Sequence, residues 1–404
     1  MPIDRKIRAG SSRKTGLRAD DKPRGGRTWT RLASLGFSLG MVIMFGCTSG
    51  MPVEVHKPLP ALIADLRSGR PQARYNAAYT LNVMDLPPQE CVAPLVDAIK
   101  QERYENIRAM MLSALSHAAP TNPEIVPATI NLLKFGTEDE ALFAAVEILG
   151  MLGAPAAERT VPALIAALDN PRCGQKVPFA LEMIGPAARP ASTVLARTLS
   201  PEDHSRPWLL RSSVADALVA IDAPAEIAVP ALRGYIERGY GIEAERCAAA
   251  LGHYGASAAS AVPALIRLID ANPGNDGIDV RQYATESLGR IGPLAAAAIP
   301  SVIRSLKDEN PGVRQAAAKA FEGLGPAART AVPNLIAALD DPDQLVMCFA
   351  AKSLGVLATN EPGVIEALTR KLDTSIVHDI ATKALGQIRE RNRDALVPQK
   401  AKSQ

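Results

Sequence analysis

Five histidines, five cysteines and one serine motif are the residues with which this sequence would do nucleophilic or metal chemistry. The histidines are His56, His117, His204, His253 and His378. None has a second histidine within five residues, so the H-x-x-x-H pair that sets two imidazoles on one helix face around zinc does not occur. The run GFSLG at 36–40 fits the G-x-S-x-G nucleophile elbow. That elbow needs a strand before it and a helix after it. Here it sits inside an uncharged apolar stretch, and no catalytic serine is expected. Cys91, Cys173, Cys247 and Cys348 are far apart and form no C-x-x-C pair. They read as scattered buried thiols, the alternative being disulfides in one of three connectivities. No P-loop is present, and no glycine-rich dinucleotide turn follows a strand. The expectation is no catalytic residue, no metal ligand and no cofactor.

The fifth cysteine stands in a different setting. Residues 1–31 carry ten Lys/Arg and three Asp/Glu; residues 32–46, LASLGFSLGMVIMFG, carry no charge; Cys47 follows. Basic, apolar, then small residue is the order of an export signal. As a helix, fifteen residues would rise about 22 Å, short of a hydrocarbon core of about 30 Å. The ending MFGC resembles a bacterial lipoprotein signal, in which a small residue precedes the modified cysteine; Gly46 and Cys47 match, while Met44 stands where leucine is usual. The resemblance implies a lipid on Cys47 and anchoring in the cell envelope, and Thr48 points weakly to the outer membrane. A cleaved signal with a plain thiol, or an uncleaved anchor, are the other readings.

Beyond the leader the remaining 35 basic and 39 acidic residues leave a net −4, although the whole chain is +3. A mildly acidic body lacks the basic face of a nucleic-acid binder. Aromatics are 4% of the chain, so its core is built from Ala, Leu, Val and Ile, side chains small enough for closely packed helices.

One chemical group recurs on a period: Arg74, Arg108, Arg211, Arg281 and Arg314 occupy one position of a repeated phrase. Either they form an anion-binding ladder or, the preferred reading, they pair with acidic residues of the turns, for which Asp308 and Asp340 are candidates. The phrase itself, P-x-L-I-x-x-L, begins at Pro60, Pro94, Pro127, Pro162, Pro230, Pro263, Pro300, Pro333 and Pro362, with a degenerate copy at Ser192, in steps of 29 to 38 residues. Such a period signals a solenoid. Each unit predicts two helices. Proline opens the first, a polar turn (DNP at 169, DENP at 308, DDP at 340) follows, and the second carries V-R-x-x-A-A-x-A-L-G and closes on a glycine expected in the left-handed cap, often with proline after it. One pair cannot bury its apolar faces; its neighbours cover them.

The pattern resembles HEAT repeats of the short bacterial, PBS-lyase-like type. The resemblance implies an all-α solenoid of about ten two-helix repeats over 60–394, after a leader at 1–46 and a linker at 47–59, with a disordered tail at 395–404. Among HEAT proteins the deoxyhypusine hydroxylase type uses His-Glu pairs, and this chain has no His-Glu dipeptide. The phycobilin lyase type works in the cytoplasm, a setting the export leader contradicts.

In such solenoids the second helices line the inner surface. Positions one, five and nine after the Arg position share a helix face. They hold Tyr75, Tyr79 and Val83 in the first repeat, Phe143, Glu147 and Met151 in the third, and Gln175, Phe179 and Met183 in the fourth. The seventh repeat has Gln282, Glu286 and Arg290, and the tenth Asp379, Lys383 and Gln387. The column is aromatic and apolar at one end and charged at the other. Either these side chains belong to the core, or Tyr75, Tyr79, Phe143, Met151, Phe179 and Met183 receive a protein or peptide. The resulting expectation is a non-enzymatic scaffold held at the membrane through Cys47, with a lyase-like carrier or a passive spacer of roughly 80–100 Å as alternatives.

Overall fold

The structure, a computed structural model, describes residues 57–84, 87–199, 208–238, 242–271, 278–359, 361 and 363–396. Cys47 and the whole of Met1–Val55, which separates as its own unit, lie outside the described residues, as do His56, His204, Pro362 and the tail from 397.

Among the described residues every regular element is helical. In chain order these are α1 (Leu59–Leu66), α2 (Pro71–Asn82), α3 (Val92–Gln101), α4 (Glu105–Ala118), α5 (Ile125–Phe135), α6 (Asp139–Met151) and α7 (Ala157–Ala167). There follow α8 (Val177–Ile184), α9 (Ser192–Thr198), α10 (Trp208–Ala220), α11 (Ala225–Ile236), α12 (Ile242–His253), α13 (Val262–Ala271) and α14 (Ile278–Ile291). The last are α15 (Ile299–Ser305), α16 (Pro311–Leu324), α17 (Val332–Ala338), α18 (Gln344–Leu357), α19 (Val364–Arg370) and α20 (His378–Leu396). Each odd helix and the even helix after it make one repeat. Every even helix packs on the even helices before and after it, and the odd helices pack on each other less. The fold is an α-solenoid whose even helices form the closer, inner row.

The even helices approach so closely because a glycine faces the next repeat. A Cβ on Gly150 would lie 2.8 Å from Ala180 Cα, on Gly252 2.5 Å from Ser287 Oγ, on Gly289 2.7 Å from Ala320 Cα, and on Gly355 2.9 Å from Ala384 Cα. Gly386, at the same place in the last described helix, has nothing within 4 Å, as no described helix packs on that face. Between the helices Leu95, Leu112, Leu164, Leu181, Leu265 and Leu335 are fully buried. Each buried side chain stabilises the stack by about 1.5–3 kcal/mol relative to exposure.

Two details of the expected repeat are corrected. Proline does not always open the odd helix: Pro162 and Pro230 lie inside α7 and α11. These helices begin a turn early, leaving the missing proline N–H within the helix. The closing glycines are not in the left-handed helical region. Gly185 (φ 72°, ψ −146°) and Gly325 (φ 68°, ψ −157°) take a positive-φ, extended-ψ conformation that only glycine adopts without strain. A 3₁₀ turn follows each, Gly185–Ala191 and Gly325–Ala331, and turns the chain into the next odd helix. In the fifth repeat Asp222, at φ 52°, occupies the corresponding corner; aspartate tolerates that region better than most residues.

Candidate partner-binding face

Three of the recurring arginines, Arg74, Arg281 and Arg314, tie one repeat to the next. Arg74 donates from Nε and Nη2 to Glu102 at 2.6 and 3.0 Å. Arg281 donates to Asp308 at 2.8 and 3.0 Å, and Arg314 to Asp341 at 2.8 and 2.9 Å. In each case the carboxylate sits in the turn one repeat on. A second bond runs back to the arginine's own turn, from Arg74 to Ser68 O, Arg108 to Glu102 O and Arg314 to Asp308 O. The expected partner Asp340 is off by one residue. It pairs with Lys371 at 2.7 Å, while Asp341 also accepts from the Asp343 amide and so faces the arginine. The Arg211 side chain lies outside the described residues.

These three guanidinium–carboxylate forks satisfy polar groups at their repeat junctions. Burial alone would raise the Glu102 carboxyl. The Arg74 hydrogen bonds and the amides of Tyr104 and Arg103 outweigh it and hold the group below its ordinary range. Asp341 is lowered in the same way, by Arg314 and the Asp343 amide. Other devices fill the remaining junctions. Arg108 bonds its own turn, and its helix neighbour Glu105 reaches forward to the Thr137 and Glu138 amides at 2.6 and 3.0 Å. At the fourth repeat, Gly174 holds the position because a Cβ there would lie 2.3 Å from Leu168 O.

The candidate column is divided between core and surface: Tyr75 and Phe143 pack against the core, while the α8 pair lies open. Tyr75, Tyr79, Phe143, Glu147 and Met151 are half-buried, and Phe179 and Met183 are exposed at 43% and 39%. Of the two readings, core packing fits Tyr75 and Phe143, and an open surface fits Phe179 and Met183. Tyr75 and Tyr79 stack at 6.4 Å with 17° between ring planes, and Lys176 Nζ lies 5.8 Å from the Phe143 ring centre. Repeat register puts Glu147, Phe179 and Asp216 at one level of the adjacent helices α6, α8 and α10.

The sequence reading named Glu147 in the column but missed the other carboxylates beside the apolar residues. Glu147, Glu182, Asp216 and Glu245 are each pushed up, first by burial. Asp216 raises Glu182 further, and Asp279 and Asp216 raise Glu245. Arg246, 2.9 Å from Asp216, and Lys176 near Glu147 oppose these shifts without cancelling them. Glu147 and Asp216 share one register position, whereas Glu182 and Glu245 stand three and four residues from it on their own helices, so no single column showed them in the sequence. Farther along, Lys319, Lys352 and Lys383 take the level of Asp216 and are exposed.

The other sequence-derived residues are not brought together. Cys91, Cys173 and Cys247 are buried free thiols and Cys348 is a half-buried one. His117 Nδ1 lies 3.1 Å from Asn82 O, and His253 packs edge-on against Tyr254, two repeats or more apart. Among the described residues no three His, Cys, Asp or Glu side chains gather in a way that could hold a metal ion.

Residues 242–322 and 299–389 match the family model for HEAT repeats, and residues 141–170 match that for the PBS lyase HEAT-like repeat. No curated protein sequence matches the chain significantly. Among solved structures the chain is similar to Kap95p in its study with RanGDP (TM-score 0.54, 15% identity, 84% of this chain and 50% of that one). It is also similar to importin beta (TM-score 0.53, 12% identity, 83% and 57%). The chain thus spans about half the length of these relatives, and at such identities the likeness is one of fold.

Proposed function

Because the chain is a HEAT-repeat protein, we propose that it is a non-enzymatic scaffold that holds a protein or peptide on the open face of its even helices, in the cell envelope and anchored through Cys47. The observation that carries the binding half is the exposure of Phe179 and Met183, flanked by half-buried Phe143 and Met151, on a row whose other faces are packed. Exposed apolar side chains among polar ones mark interaction sites, and Tyr, Phe and Met suit them. In the Kap95p study a solenoid of like fold binds RanGDP. The leader and Gly46-Cys47 motivate the envelope half.

The test is photo-crosslinking from Tyr79 and Phe179 in the producing cell, followed by identification of the crosslinked chain. Tyr75→Ser with Tyr79→Ser, and Phe179→Ser with Met183→Ser, are expected to abolish crosslinking from a neighbouring position while the fold persists. Variants that keep the fold and the crosslink place binding elsewhere.

A further inference from the structure

We propose that the open face of α6, α8 and α10 docks a protein segment that carries lysine or arginine beside bulky apolar residues. The inference rests on the scaffold reading and names the partner's chemistry. Phe179 and Met183 offer an apolar seat on α8, with Phe143 beside it on α6. An apolar seat alone selects no partner; the charge around it does. Glu147 on one side and Asp216 on the other stand at the level of Phe179, and Glu182 lies one residue before Met183.

Among the described residues the cations set against these carboxylates are Lys176 and Arg246. Arg246 is engaged with Asp216 at 2.9 Å, and Lys176 also leans on the Phe143 ring. The face therefore keeps negative charge, with Glu147 and Asp216 half-buried and Glu182 exposed beside them. At a half-buried position a carboxylate gains more from a cation than it would in open water. Burial holds all three carboxyls above their ordinary range, the condition that an arriving ammonium or guanidinium relieves. An acidic or neutral apolar segment would gain the seat and leave the carboxylates unmatched. Complementary charge adds selectivity and encounter rate to the apolar contact. Lys319, Lys352 and Lys383 continue the same level with the opposite sign, so a segment with its basic part at one end docks in one direction.

The experiment uses the full chain in mild detergent and three fluorescein-labelled synthetic peptides of equal length. One is of Lys and Leu, one has Glu for Lys, and one has Ser for Leu. Anisotropy titration is expected to show the Lys/Leu peptide bound about tenfold or more tighter than either other, with affinity falling as salt rises. Glu182→Gln with Asp216→Asn, and Phe179→Ser with Met183→Ser, should each weaken that binding about tenfold. Glu90→Gln with Glu366→Gln, acids away from this face, should leave it unchanged. Circular dichroism and the urea midpoint establish that each variant is folded. Equal binding of the Glu/Leu peptide, or unchanged binding by folded Glu182→Gln with Asp216→Asn, overturns the inference. If the crosslinked natural partner is lost on Tyr75→Ser with Tyr79→Ser but kept on the α8 and α10 variants, the scaffold reading stands and this inference falls.

Discussion

Gly289 and Gly386 occupy the same place in the repeat phrase, yet alanine at the two positions is expected to change stability in opposite directions. In an exposed helix interior, glycine to alanine gains about 1 kcal/mol. At Gly386, with nothing within 4 Å, the new methyl meets only solvent, and Gly386→Ala is expected to stabilise by about 0.5–1 kcal/mol. At Gly289 the methyl would stand 2.7 Å from Ala320 Cα, 2.9 Å from its Cβ and 3.3 Å from its carbonyl oxygen. Ordinary carbon contacts lie near 4 Å. The obstacle is backbone, which no rotamer change removes, so α14 and α16 must move apart by about 1 Å. Overpacking of this kind costs about 1–3 kcal/mol, which outweighs the helix gain and leaves a net loss of about 1 kcal/mol. The two variants should therefore differ by about 2 kcal/mol. Urea unfolding followed by circular dichroism measures both, and hydrogen exchange over Pro311–Leu324 should report faster opening in Gly289→Ala alone. Gly289→Ala as stable as the parent would refute the close approach of the inner row. A destabilising Gly386→Ala would mean that something packs on the last repeat.

Removing residues 298–330 deletes one repeat of thirty-three residues and brings Asp341 to the place of Asp308 opposite Arg281; the product should remain helical with shorter dimensions in small-angle scattering. Arg314→Ala strands Asp341, whose side chain is 10% exposed, and should destabilise by about 2–3 kcal/mol in urea, whereas Lys100→Ala, in a pair open to solvent, should change nothing measurable. Glu102 and Asp341 have folded-state values below their unfolded ones, so their contribution is complete above the ordinary carboxylate range and is lost as pH falls through the depressed values. Glu182 and Asp216 are raised, so the folded chain binds their protons more tightly than the unfolded chain. Glu182→Gln with Asp216→Asn should therefore raise the urea midpoint at neutral pH, and the gain should vanish as pH falls through the raised values. Cys47→Ala should move the protein out of the membrane fraction, and intact mass of the parent should show a lipid on Cys47; an unmodified thiol there ends the envelope half of the proposal.

The repeat was legible because it is written in covalent constraints and burial. Proline, glycine and the leucine spacing act locally, and their recurrence is visible without coordinates. What escaped depends on register between neighbours. Asp340 and Asp341 are adjacent carboxylates, equivalent to a periodicity count. Only the turn geometry, in which Asp341 also receives the Asp343 amide, decides which one meets Arg314. The glycine conformation escaped for the same reason: a glycine after a helix fits the left-handed cap and the extended positive-φ corner equally well. The 3₁₀ turn that follows Gly185 and Gly325 selects the second.

The candidate face was half legible, and the missing half is the informative one. Apolar side chains at helical spacing fit a core as well as a groove, and only the open side of α8 separates the two. The carboxylates carry the opposite asymmetry. Glu182 and Asp216 sit in different units, so in sequence each looks like a solvated helix residue. Stacking brings Asp216 close enough to raise the proton affinity of Glu182, while burial raises that of Asp216 itself. The junction arginines show how this chain treats a carboxylate whose task is structural: Glu102, Asp308 and Asp341 each receive a guanidinium fork. Among the described residues Glu182 and Glu147, on the even helices, receive no such fork. A chain that satisfies carboxylates at its junctions and leaves others under-compensated beside exposed Phe179 and Met183 has two classes of acid. The second class is the one available to a partner.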